Sequence, residues 1–113
     1  MNETYTDLEI INLANIPPIV LERKIKSRKI GENLAWIRKL QRSVYVFSKK
    51  HKDMLDVQMS IIAIVGLIER HCRPFIYADH YRQVVMKYPT ATPQEHKMMT
   101  DQRTEKTLMK YHY

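Results

Sequence analysis

Glycine is almost missing from this chain: Gly31 and Gly66 are the only two in 113 residues. So small a supply argues against a sheet protein with many tight turns, and it leaves no Gly-rich loop to cradle a phosphate. Cysteine is scarcer still. Cys72 stands alone, which excludes an intramolecular disulfide and fits a reducing compartment. Long hydrophobic runs are also lacking, because the longest, 61–68, has eight residues, whereas a bilayer-spanning helix needs about 20. The opening Met-Asn-Glu-Thr-Tyr-Thr-Asp-Leu-Glu has neither the basic n-region nor the apolar h-region of a secretory signal. Its acids also argue against a mitochondrial transit peptide. These absences predict a soluble intracellular protein without a transmembrane segment, placed in the cytoplasm or with the nucleoid or nucleus.

What is present is ordinary for a globular chain, with 44% hydrophobic and 27% charged residues. The length suits one domain able to bury a core without staples. The run 61–68, Ile-Ile-Ala-Ile-Val-Gly-Leu-Ile, has no polar side chain and extends backwards through Met54, Leu55, Val57 and Met59. A buried strand would share the composition, since the run is rich in β-branched residues. The early start of the apolar positions, with no turn residue between, favours a helix. Its apolar positions fall all round the wheel, so the run predicts a central helix over about 54–71, surrounded by other elements.

The flanking segments read as helices with identifiable ends. Thr6 with Glu9 has capping-box spacing for a short helix through about Asn15, with Leu8, Ile11 and Ile10 as its inward candidates. Pro17-Pro18 ends that element and opens the next, 19–30, whose apolar edge is Leu21, Ile25 and Ile30. Gly31 marks a kink or boundary. From 30 to 50 the pattern is the cleanest in the chain: Ile30, Leu34, Trp36, Ile37, Leu40, Val44 and Phe47 fill one arc of roughly 160° at 100° per residue. Val46 is the misplaced apolar residue. Asp53 is the expected cap of the central helix, which should stop near His71-Cys72 because Pro74 follows. A further helix is then expected over about 75–87, with Ile76, Val84 and either His80 or Tyr77 inward. Thr92-Pro93-Gln94-Glu95 is a strong start signal for a last, poorer helix. The expected architecture is an all-α bundle of four to five helices, with 1–90 as the core domain. Residues 91–113 form a less ordered C-terminal helix or docking tail.

Charge is distributed unevenly. Between 23 and 52 eleven Lys/Arg face one acid, Glu32, for a net +10, while the rest holds eight Lys/Arg and eleven acids, for −3. Such asymmetry points to an anionic partner, nucleic acid or an acidic protein surface. Two clusters carry it. Arg23, Lys24, Lys26, Arg28 and Lys29 point in nearly all directions around their helix. Arg38, Lys39, Arg42, Lys49 and Lys50 occupy an arc of roughly 120° opposite the apolar one. Those ten residues are the expected nucleic-acid-binding set, with Tyr45 and Tyr5 as stacking surfaces. The end of the chain, Leu108, Met109, Tyr111 and Tyr113, is expected to dock on a partner, since Met and Tyr adapt to grooves.

Three stretches invite sharper readings. Ile30-Gly31-Glu32-Asn33-Leu34 followed by Ile37-Arg38-Lys39 resembles the opening of phage-repressor-type helix-turn-helix domains, and Ile68-Glu69-Arg70 with Arg73-Pro74 resembles the segment after their recognition helix. The stretch between is about seven residues too long, and 61–68 is too apolar to face a major groove. His71, Cys72, Asp79 and His80 hold the ligand-type side chains, but they straddle a proline without a second short-spaced pair. A membrane-surface role for 30–50 would insert Trp36 and Phe47, which the central helix needs for its own cover. No constellation points to catalysis, metal or cofactor. The sequence therefore predicts a small non-enzymatic basic protein that engages nucleic acid or a nucleoprotein complex, or alternatively a structural or adaptor subunit, and a homo-oligomer is compatible with either.

Overall fold

The computed structural model describes residues 4–112. Among them lie five helices and no strand: α1 (Asp7–Ala14), α2 (Pro18–Ser27), α3 (Ile30–Lys50), α4 (Leu55–Lys87) and α5 (Pro93–Met109). The all-α expectation holds.

Local chemistry sets most of the boundaries. At α1 the Thr6 hydroxyl accepts the Glu9 N–H at 3.2 Å, and the Glu9 carboxylate accepts the Thr6 N–H at 2.9 Å. The helix turns Ile10 into the core, with Ile11, Leu13 and Ala14 packed beside it. Leu8, expected to point inward, is exposed instead, because it lies 200° round the helix from Ile10. Helix α2 starts on Pro18 and stops at Ser27, three residues before the expected end, since Arg28 and Lys29 are extended. Asn33 secures that corner by donating to the Ile25 carbonyl at 3.0 Å from a fully buried position. Gly31 is not the break; it sits in the first turn of α3 with no positive φ. Helix α3 matches its expected span, with Trp36, Ile37, Leu40 and Phe47 buried and Val46 exposed. Residues 30–39 run through one continuous helix, so the tight turn of a helix-turn-helix is absent there.

Helix α4 departs from expectation in three ways. It does not stop near Cys72 but continues through Pro74 to Lys87. Pro74 removes one backbone hydrogen bond and crowds the preceding turn, yet both flanks are held, the first by α1 and α3 and the second by α5. The N-cap is Met54, not Asp53, and it makes no side-chain cap bond; Gln58 instead donates to the His51 carbonyl at 3.0 Å. The apolar run is not enclosed on all sides. Val57, Ile61, Ile64, Val65, Ile68 and Cys72 form the buried stripe, while Leu55, Met59, Ile62 and Leu67 face solvent. The covering helices all lie on one side.

The connection 51–54 is short, so α3 returns along α4 as an antiparallel neighbour. Helix α5 folds back on the other half of α4 after residues 88–92 and is a regular helix capped by Thr92 and Glu95. Its buried positions are His96, Thr100, Thr104 and Leu108. The two threonine hydroxyls donate to carbonyls four residues back, at 2.6 and 2.8 Å, which satisfies them inside the seam. Opposite them, Ile76 and Val84 point inward as expected, and His80 meets the Thr107 hydroxyl at 2.8 Å. The molecule measures 53 × 27 × 27 Å. Its radius of gyration, 16.7 Å, exceeds the ~13 Å of a compact domain of this length. Helix α4 is the spine, packed with α1, α2 and α3 at one end and with α5 alone at the other.

Candidate functional site

The cationic arc of α3 lies opposite its buried stripe, with Lys49 and Lys50 exposed and Arg38, Lys39 and Arg42 half-buried. Helix α1 covers one flank of α3: Lys50 and His51 meet Asp7 at 3.3 and 2.9 Å, and the Tyr5 N–H donates to the Ser43 hydroxyl at 2.7 Å. The C-terminal residues cover the other flank. The strip between carries Ala35, Lys39, Arg42, Val46 and Lys49, with Arg38 at its margin.

Three segments distant in sequence meet at one edge of this strip. The Trp36 indole donates to the Tyr5 hydroxyl at 3.0 Å. The Arg28 guanidinium lies over the Trp36 ring at 3.9 Å, and the Lys39 ammonium lies over the Tyr5 ring at 4.1 Å. Lys24 lines the same groove between α1 and the α2–α3 corner. The result is a ladder of cations resting on aromatic faces, which fixes two flexible side chains by cation–π attraction. The Arg28 guanidinium makes no hydrogen bond among the described residues, so its donors remain open to an oxyanion. Lys49 rests on Tyr45 at 5.0 Å in the same manner. Sequence spacing could not show the Arg28–Trp36 pairing, because the two residues sit on either side of the extended corner.

The other expected cations are placed less favourably. Lys26 pairs with Glu22 at 2.7 Å and lines the groove between α2 and α4, away from the ladder. Lys50 is committed to Asp7. Arg23 and Lys29 are exposed, and Arg42 is half-buried. Arg38 has a structural task, donating to the Lys110 carbonyl at 2.6 Å with its guanidinium 5.0 Å from the Tyr111 ring.

That contact corrects the expected docking tail. Leu108 is buried in the core, Tyr111 packs against it, and His112 bonds to Gln41 at 2.6 Å and to Glu69. The tail is folded onto α3 and α4 because Arg38 and Leu108 anchor it. Only Met109 of the expected set is well exposed, and Tyr113 lies outside the described residues.

His71, Cys72, Asp79 and His80 diverge. His71 lies beside Phe75, Asp79 pairs with Arg82, and His80 turns to α5. Cys72 is fully buried, and burial, reinforced by the nearby Glu69, pushes its thiol above the ordinary value. Among the described residues no group of three or more His, Cys, Asp or Glu is arranged to hold a metal ion. Trp36 and Phe47 are buried, so they are not available to a membrane surface. No helix among the described residues is long and apolar enough to cross a membrane. Comparison with known proteins finds no family model, no curated protein and no solved structure that matches the chain.

Proposed function

We propose that this is a small non-enzymatic helical protein that binds nucleic acid, alone or within a nucleoprotein complex, through the phosphates. Its docking surface is the cationic strip of α3 with the Lys24–Arg28 edge of α2. The supporting observation is the ladder Arg28–Trp36–Tyr5–Lys39, in which a cation of the α2–α3 corner and one of α3 are held on aromatic faces, with Glu9 the acid beside Lys39. Fixed cations beside a strip of net positive charge suit a polyanion, where each neutralised phosphate releases counterions. On this reading the protein works inside the cell, where nucleic acid is found.

A salt titration of binding to duplex and single-stranded oligonucleotides tests the proposal. Lys39, Arg42 and Lys49 changed together to Gln should leave the far-UV spectrum unaltered. The slope of log K against log salt should fall by about 0.9 per lost phosphate contact on duplex DNA, or about 0.7 on a single strand. Arg38 stays in place, because it also holds the C-terminal residues. Wild-type protein that shows no binding at low salt would sink the proposal and leave the strip to an acidic protein surface, as in an adaptor or assembly subunit.

A further inference from the structure

Helix α4 carries a second, unpartnered face. Leu55, Met59, Ile62, Ala63 and Leu67 are exposed there, the first three by 62%, 64% and 55%. Positions 56, 59, 63, 67 and 70 step by three, four, four and three, the spacing of a helix–helix seam centred on Ala63, with Leu55 and Ile62 at its edge. Gly66 flanks it, and a Cβ built there would meet nothing within 4 Å. No contact within the chain therefore calls for a glycine at a position where glycine weakens the helix. The seam is opposite the buried stripe of α4, and the cationic strip is opposite the buried stripe of α3. As those stripes pack together, the seam and the strip face away from each other.

The charges at the two ends of the seam identify what covers it. Asp56 and Arg70 are exposed, and neither side chain has a partner among the described residues. Each is seven residues from Ala63, while Met59 and Leu67 are each four away. All four lie within about 40° of the Ala63 direction on the helix. A two-fold axis at Ala63 sets Asp56 against Arg70 of the other copy, twice, and sets Met59 against Leu67. The small Ala63 side chains allow close approach where the helices cross. A parallel pair in register would instead stack acid on acid and guanidinium on guanidinium.

We propose that α4 docks antiparallel on α4 of a second copy of this chain, about a two-fold axis at Ala63. The interface is isologous, the same patch on both copies, and it leaves two cationic strips on the outer sides of the dimer. It does not depend on the nucleic-acid reading.

Sedimentation equilibrium of nuclease-treated protein from micromolar to millimolar concentration tests it. The wild type should dimerise. Ala63→Asp and Met59→Glu, each placing a charge twice in the interface, should keep the far-UV spectrum and raise the dissociation constant at least about a hundredfold. Asp56→Arg or Arg70→Asp alone should raise it about tenfold, and the two together should return it to within about threefold of wild type. A chain that stays monomeric throughout overturns the proposal and leaves the seam to a helix of another protein. A dimer indifferent to both seam variants overturns it as well. A dimer that the double exchange fails to restore overturns the antiparallel register.

Discussion

Asp7 lies where α1 begins and where Lys50 and His51, at the end of α3, converge. The hydrogen bond from His51, opposed by partial desolvation and reinforced by Lys50, holds its carboxyl below the ordinary value. Glu9 and Glu95 are lowered too, chiefly by the backbone N–H groups they accept in the two capping boxes. A carboxylate that binds its proton less readily folded than unfolded stabilises the fold above the unfolded pKa. That contribution is lost as pH falls through the lowered folded value. Thermal melts of wild type and Asp7→Asn should therefore differ near neutral pH and converge in acid, well below the ordinary carboxylate value of about 4. Melts that stay apart in strong acid would mean that Asp7 acts through packing rather than charge.

At the scale of the element, Pro74 is the instructive residue. An interior proline costs a helix about 3 kcal/mol, and the chain tolerates it because α4 is clasped on both sides of the defect. Pro74 is exposed, so alanine can restore the lost hydrogen bond without meeting a neighbour. Part of the gain is offset by the freer unfolded chain, by about 1 kcal/mol or less. Pro74→Ala is expected to stabilise the protein by about 1–3 kcal/mol, seen as a higher urea midpoint. A lower midpoint would show that α5 packs well only against an interrupted α4. Helix α5 hides its contribution differently, since its buried face is made of His96, Thr100, Thr104 and Leu108 rather than its methionines. Threonine can enter that seam because its hydroxyl is satisfied by the carbonyl one turn earlier.

At the scale of the whole molecule, stability should be graded along the rod. The half of α4 around Ile61, Ile64 and Ile68 shares its core with residues of α1, α2 and α3. The far half relies on α5, through a narrower seam that includes buried polar side chains. Regions with fewer buried apolar partners open at lower free energy. Native-state hydrogen exchange should find the amides of 61–68 protected at least about tenfold better than those of 80–86 and 96–104. Equal protection along α4 would show that the rod unfolds as one unit. The exposed seam of α4 belongs to the stronger half, so a dimer formed there would widen the difference.

Features that depend on near neighbours in the chain were legible in the sequence. Thr6 with Glu9, Thr92 with Glu95, Pro18 at a helix start and the amphipathic period of 30–50 each act within one or two turns, and each appears where its local chemistry puts it. The cationic arc of α3 was legible for the same reason. Tertiary structure decided what remained. It carried α4 through Pro74, because packing on both flanks outweighed a local penalty. It left Leu55, Met59 and Ile62 uncovered, because helical period says which residues share a face but not how many neighbours arrive to bury it. It took Arg38, Leu108 and Tyr111 for an internal anchor and set Arg28 on Trp36 across a corner. Such contacts join residues far apart in sequence or across a chain reversal, and no pattern within a single element records them.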